Sequence, residues 1–390
     1  MITTVLNGTL LDTDSMELLG ERHITIEDDR IVEVETSLPK LDADREIDAR
    51  GRFVMPGFID GHVHHVITTM DFRRLMKMTT VERALGMGKL AEAMLQRGFT
   101  TVRDTGGDTK GLVSAIDRGL CHGPRIVGSG RALSQTGGHG DVAPAEGGLC
   151  ACQIHSNEFS HVADGPDAVR LAVRSELRDG AAFIKIMSSG GVASPTDPFD
   201  SVQYTAEEIR VATTETDHRE NGVRCIEHGN LIDDATAARM AELGVTMVPT
   251  LVTYRAMAEI GAKVGLPQVN VSKNEGVFEA GCRSIELAKR AGVELGLGTD
   301  LLGEAQTWQN REFAIRAELE PAADVLRSMY RVNAKLCGLE GEIGVIKPGA
   351  SADLVITQVD PLSKLAELAE PEAAIDAVIG RGRIAVDRLA

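Results

Sequence analysis

Basic residues are scarce in this 390-residue chain, in which 41 lysines and arginines stand against 58 aspartates and glutamates, a formal charge of −17 at pH 7. That sign repels phosphate backbones and anionic lipid, so nucleic acid and membrane surfaces are excluded as partners. Long apolar runs are lacking too. The opening MITTVLNGTLLDTDSMELLGERH has no basic flank and no continuous apolar stretch, and no later segment is apolar enough to cross a bilayer. A soluble cytoplasmic protein is expected. Cysteine is sparse: Cys121, Cys150, Cys152, Cys225, Cys282 and Cys337 include no C-x-x-C pair and read as reduced thiols. Cys150-Ala151-Cys152 with His155 has no second ligand pair nearby and reads as a loop. Gly128-Ser129-Gly130 follows a strand but lacks the third glycine and the later acidic residue of a dinucleotide fingerprint.

What the chain does have is alternation. Its length permits one large α/β domain with an accessory piece. Short β-rich runs fill both ends, at Met1 to Leu6, His23 to Ile26 and Arg30 to Glu35, and again at Ala352 to Ile356, Ala377 to Ile379 and Arg383 to Val386. Residues 1–56 and 346–390 are therefore expected to form one composite β-sandwich-like domain around a catalytic region at 57–345. Within that region apolar strands are expected at Phe53 to His64, Phe99 to Asp104, Arg125 to Gly130, Ala182 to Ser188, Val223 to His228, Val245 to Thr250 and Val293 to Asp300. Amphipathic helices alternate with them, including Val81 to Arg97, Asp167 to Arg178, Asp233 to Leu243 and Lys273 to Ala291, often with Asp or Ser at the N-cap. Alternating βα units imply a parallel sheet, and a closed barrel would place function at the carboxyl ends of the strands.

The strand ends carry chemistry. In Phe58-Ile59-Asp60-Gly61-His62-Val63-His64, residues 60, 62 and 64 share a face, so two imidazoles converge while His65 turns away. Such a pair suits Zn²⁺ or a similar divalent ion, although paired histidines at a strand end also occur without metal. Lys185 lies inside the apolar run Ala181 to Met187. It either extends its ammonium to the rim or has a pKa low enough to take up carbon dioxide and bridge metals. Gly296 and Gly298 leave room for Asp300, which is either the cap of the next element or a ligand and general base. His228 ends its strand in the same manner.

Together these segments resemble the metal-dependent amidohydrolase superfamily. The marks are Gly57 to His64, Lys185, Glu227-His228-Gly229-Asn230, Gly298-Thr299-Asp300 and the late Gly349-Ala350-Ser351-Ala352-Asp353-Leu354-Val355. Ser134 to Asp141, Lys185-Ile186-Met187 with Ser189 to Pro198, and Val248-Pro249-Thr250-Leu251 are similar to its prolidase or carboxypeptidase-like branch, whose members cleave dipeptides and N-acyl amino acids. The resemblance implies a (β/α)8 barrel with two divalent ions, usually zinc, held by His62, His64 and Asp300 on one side and His228 on the other, with carboxylated Lys185 as bridge. It implies amide hydrolysis by a metal-activated hydroxide, with Asp300 as general base, a dipeptide or other small-molecule substrate and a homo-oligomer. His139, Arg103 and Tyr254 are candidates to contact substrate.

One expected part is absent from the sequence. The family pattern has a further strand and helix between Lys185 and His228, carrying a histidine for the second ion, yet these residues are only 43 apart and Ser188 to Tyr204 read as a loop. A single βαβ crossover needs roughly 30 residues. Asn221-Gly222 reads as the splice point, and His218, just before it, as a surface residue at a helix end. The barrel is thus expected to miss its fifth βα unit, so that of the two zinc ions the resemblance implies, a single one becomes an alternative. A catalytically impaired scaffold and a mononuclear deaminase are the alternatives.

Overall fold

The computed structural model describes residues 1–39, 42–141, 158–194, 197–216, 222–266, 268–274 and 276–389. The expectations for Cys150, Cys152, His155 and His218 fall outside them.

The two chain ends build one sheet. Strands β1 (Ile2–Asp12), β2 (Glu17–Glu27), β3 (Arg30–Glu35), β4 (Arg45–Asp48) and β5 (Phe53–Pro56) come from the N-terminal side. The last three strands of the chain, Leu354–Thr357, Ile375–Gly380 and Arg383–Asp387, join them through antiparallel pairing of Leu354 with Pro56 and Ile356 with Val54. Alternating Val5, Ile24, Ile26, Val54, Leu354, Ile356 and Ile379 bury one continuous apolar face. Asp353, from the late motif, locks this sheet to the rest of the protein. Its carboxylate accepts from Arg125 Nη1 at 2.9 Å and from the Arg381 amide at 2.8 Å, and its carbonyl accepts from Gly57 N at 2.8 Å.

The expected strand Phe53 to His64 is two strands. After β5 the chain leaves the terminal sheet at Gly57 and enters β6 (Phe58–Val63). A side chain at Gly57 would place Cβ 2.0 Å from Thr100 Oγ1, so the crossing requires glycine. Strand β6 pairs in parallel with β7 (Phe99–Asp104), and β7 with β8 (Arg125–Gly128). The chain then forms β9 (Ala132–Ser134) and β10 (Ser160–Val162), which pair with each other. Farther on, β11 (Cys225–Glu227) and β12 (Thr246–Val248) are parallel.

Two expected strands are extended and hydrogen-bonded to neighbours, but without the regular ladder of a full strand. The Lys185 segment touches its neighbour through one parallel bridge, Ile186 to Leu133, with Leu133 N donating to Lys185 O at 2.8 Å and Met187 N to Leu133 O at 3.0 Å. The 293–300 segment has one bridge, Leu295 to Met247, and closes onto β6 where Gly61 N donates to Leu297 O at 2.8 Å. With Ala182 N also donating to Gly128 O of β8 at 2.9 Å, backbone pairing runs from the Lys185 segment through β8, β7, β6, the Leu297 segment and β12 to β11. Among the described residues, no backbone hydrogen bond joins β11 back to the Lys185 segment.

Helices cover the outside, and their starts follow local rules. Thr79 and Glu82 form a reciprocal capping box at the head of Thr80–Gln96, and Asp233 accepts from Thr236 N at 2.8 Å at the head of Asp234–Glu242. The helix expected from Lys273 is Val277–Ala291, because Gly276 sits in the left-handed region at φ 76°. Among the described residues, no helix is long and apolar enough to cross a membrane.

Candidate metal centre

His62, His64 and Asp300 meet at one point. His62 Nε2 lies 3.3 Å from His64 Nε2, and Asp300 Oδ1 is 3.4 Å from the first and 3.0 Å from the second. Their potential ligand atoms all fall within 4.8 Å of one another. Gly298 makes the approach possible, since a Cβ there would sit 2.8 Å from His62 Cβ and 2.7 Å from Val248 Cγ1. Asp300 itself adopts φ 50°, held by donation of its amide to His62 O at 2.8 Å. Left-handed backbone at a non-glycine residue costs energy and is concentrated at functional sites.

The outer partners decide what the inner atoms present. His62 Nδ1 is 2.7 Å from Glu227 Oε2, and His64 Nδ1 is 3.2 Å from the Gly106 carbonyl. Both acceptors require a proton on Nδ1, which leaves each Nε2 in a neutral ring as a bare lone pair. Two such lone pairs and a carboxylate oxygen then face one another with no proton between them. This arrangement fits a divalent cation and is repulsive without one. With no ion in place the alternative is a proton on His62. Burial disfavours it, but the nearby Asp300 and Glu227 carboxylates outweigh burial and raise the pKa of His62. Burial also works against the charge on Asp300, yet His62, His64 and His228 hold its carboxyl well below the usual range, so it is an anion at neutral pH.

His228 stands beside the trio. Its Nδ1 is 3.9 Å from Asp300 Oδ2 and 2.7 Å from Thr250 Oγ1, and its ring centroid is 4.8 Å from that of His62. Burial holds it neutral, lowering its pKa to about 3. Neighbouring residues in a strand face opposite ways, yet Glu227 and His228 both reach the interior. Left-handed turns at His228 (φ 66°) and Gly229 (φ 64°) swing the second of them back. Lys185 is half-buried; desolvation lowers its pKa, while Glu227 and Asp300 oppose that shift, which sets its ammonium in the same electrostatic field.

The remaining candidates are placed differently. The Arg103 side chain is only 6 % exposed and does not open to solvent. It donates through Nη1 to Glu227 Oε1 at 2.7 Å and to Gly61 O at 3.2 Å, and its guanidinium stacks on Phe183 at 4.0 Å. Tyr254 is buried, its hydroxyl donating to Asn230 Oδ1 at 3.1 Å. His139 lies in the loop after β9, with Nδ1 3.2 Å from both Ser194 Oγ and Asp197 Oδ2. His65 is fully buried and paired with Asp104 at 2.8 Å. The sequence alone assigned Glu227 no role of its own; a carboxylate directly after the apolar pair Cys225-Ile226, at the end of an expected strand, was the signal available. Asp60, expected on the face of the two histidines, instead braces the turn that presents Asp300. Its carboxylate accepts from His62 N, Thr299 N, Thr299 Oγ1 and Gln309 Nε2 at 2.7–3.1 Å.

Parallel strands, with H-x-H on one segment and an aspartate on another, set a candidate metal centre in an α/β fold. The sequence pattern of the Amidohydrolase family matches residues 53–385, and the chain belongs to that family. It is similar to an amidohydrolase of known crystal structure at 44% identity, with a TM-score of 0.95 and 100% of each chain covered. A prolidase crystallised with N-methylphosphonate-L-proline is 42% identical, with a TM-score of 0.93 over 98% of this chain and 99% of that one. The ochratoxinase of Aspergillus niger is 27% identical over 354 residues, covering 82% of this chain and 73% of the relative. These likenesses set the chain in the prolidase-like branch of the superfamily, among hydrolases.

Proposed function

We propose that the protein hydrolyses the amide bond of dipeptides or N-acyl amino acids with the help of a divalent ion, zinc by preference, held by His62, His64 and Asp300. The observation that carries this reading is the convergence of His62 Nε2, His64 Nε2 and Asp300 Oδ1, with each ring's Nδ1 already engaged by an acceptor behind it. Similarity to a prolidase crystallised with N-methylphosphonate-L-proline supports the substrate class. A bound ion would polarise the scissile carbonyl and activate water. The chain's own residues do the rest. His62 and His64 hold fixed tautomers, Asp300 accepts a proton and passes it to the leaving nitrogen, and neutral His228 borders the space where the reacting carbonyl would lie. Because Asp300 is a weak base, it keeps that proton only briefly.

The proposal includes one ion and a shortened barrel. Among the described residues, the side of β11 turned away from β12 has no backbone partner, as the loss of a neighbouring βα unit would leave it. In this reading Lys185 and His228 have lost the histidine needed to complete a second centre. The same gap is the one observation that favours an impaired scaffold as a second reading. Purified protein assayed against Xaa-Pro dipeptides and N-acyl amino acids, with metal content measured in parallel, separates the two. The enzyme reading expects about one zinc per chain, hydrolysis abolished by chelator, and a loss of roughly 10²- to 10⁴-fold in kcat for Asp300→Asn. Hydrolysis indifferent to chelator sinks it; one bound zinc with no turnover on any of these substrates favours the scaffold.

A further inference from the structure

Two histidines point at the proposed ion, but they are held from behind by unlike partners. His64 leans on a neutral carbonyl, Gly106 O, at 3.2 Å. His62 leans on a carboxylate, Glu227 Oε2, at 2.7 Å. The Glu227 side chain is 7 % exposed, and each of its oxygens has a separate task, Oε2 on His62 and Oε1 on Arg103 Nη1 at 2.7 Å. Arg103 is fixed in turn. Its guanidinium lies against Phe183, in the Lys185 segment, and reaches Glu227 in β11, so one side chain links two segments that no backbone hydrogen bond joins among the described residues.

We infer that Glu227 is a positioning residue for the metal site, which holds His62 in the Nδ1–H tautomer and thereby sets the affinity for the ion, with Arg103 keeping the carboxylate in place. The inference rests on the proposed metal-dependent reading and deepens it. A carboxylate behind a ligating imidazole fixes the ring's orientation and raises its basicity, and loss of such a partner typically costs about 10- to 100-fold in metal affinity. Glu227 touches neither Nε2 nor Asp300, so its effect travels through His62. A purely architectural role for the Arg103–Glu227 pair, stapling β7 to β11, would weaken the fold and leave the ring's tautomer alone.

The test compares wild type, Glu227→Gln and Arg103→Met as full-length, zinc-stripped proteins. Zinc affinity is read by competition with a chromophoric chelator, the His62 tautomer by ¹⁵N NMR of the imidazole, and the zinc-free melting temperature separately. Expected are a 10- to 100-fold weaker zinc affinity in Glu227→Gln, a His62 ring no longer confined to the Nδ1–H form, and a smaller affinity loss in Arg103→Met, which keeps the carboxylate on His62. If Glu227→Gln fails to fold, Glu227→Asp, which retains the charge at a longer reach to His62, gives the same comparison and is expected to weaken zinc. Zinc affinity in the Glu227 variant within about threefold of wild type, or an equal loss in both variants with the tautomer unchanged, overturns the inference. Wild type that takes up no zinc defeats the metal-dependent reading itself, and the two failures are thereby distinct.

Discussion

Zinc added to zinc-stripped protein should raise its melting temperature by an amount the site and chain length allow one to work out. A ligand that binds only the folded state stabilises it by RT ln(1 + [L]/Kd), about 2.7 kcal/mol when zinc is present at 100 times its Kd. Unfolding entropy near the midpoint is about 2.1 cal/mol/K per residue, or roughly 0.8 kcal/mol/K for a chain of this length, so the expected shift is about 3 °C. His64→Ala removes one of three converging donors, and His62 Nε2 then keeps only Asp300 as a neighbour in the trio. If affinity falls about 100-fold, the same zinc concentration equals Kd and the shift shrinks to about 0.5 °C. Scanning fluorimetry or calorimetry on both proteins, with magnesium as a control ion, makes the measurement. An equal zinc shift in His64→Ala and wild type would refute the assignment of the ion to these three residues.

Two further outcomes are expected. The pKa of His62 is raised in the zinc-free fold by Asp300 and Glu227 against burial, so the stabilisation from its protonated form is complete below the ordinary imidazole value and fades as pH climbs through the raised one. Zinc competes with that proton, so its affinity should strengthen about tenfold per pH unit across this window and level off above it, as titrations from acidic to mildly alkaline pH will show; an affinity independent of pH would exclude proton displacement. In β11, Thr246 N donates to Arg224 O and His228 N to Val248 O, so the amides of Cys225 and Glu227 face away from β12. Their hydrogen exchange should outpace that of β7, which is flanked by β6 and β8, and equal protection would mean that the gap is closed in solution.

The site was legible in the sequence where its geometry is local. Residues 62 and 64 share a face because strand alternation is a two-residue rule, and the glycines before Asp300 announced a close approach that Gly298 makes against His62. The helices expected over Val81 to Arg97 and Asp233 to Leu243 were legible to within a residue or so at each end, and the structure starts them where Thr79 and Asp233 cap the chain. What stayed hidden depends on partners distant in the chain. Nothing in Phe53 to His64 shows that the first four residues pair with Leu354–Thr357 while the rest pair with β7. Apolar content alone made Ala182 to Ser188 and Val293 to Asp300 look like full strands, but their hydrogen bonds to Gly128 and Leu133, and to Met247 and His62, are too irregular in register to extend beyond single bridges. Arg103 was read as facing substrate because it is one residue from its strand's end; its actual counter-charge, Glu227, lies 124 residues away. A left-handed turn at His228 likewise overrides the alternation that would have set it and Glu227 on opposite sides.

The crossing at Gly57 gives the terminal sheet leverage over chemistry it never touches. The strand bearing His62 and His64 continues from one clamped between β1 and residues 354–357, so the last thirty-odd residues act as a distant anchor for the histidines. Proteolytic trimming behind Ala350 would cut that mooring and strip Val355, Ile375 and Val378 from the core on which Phe58 packs.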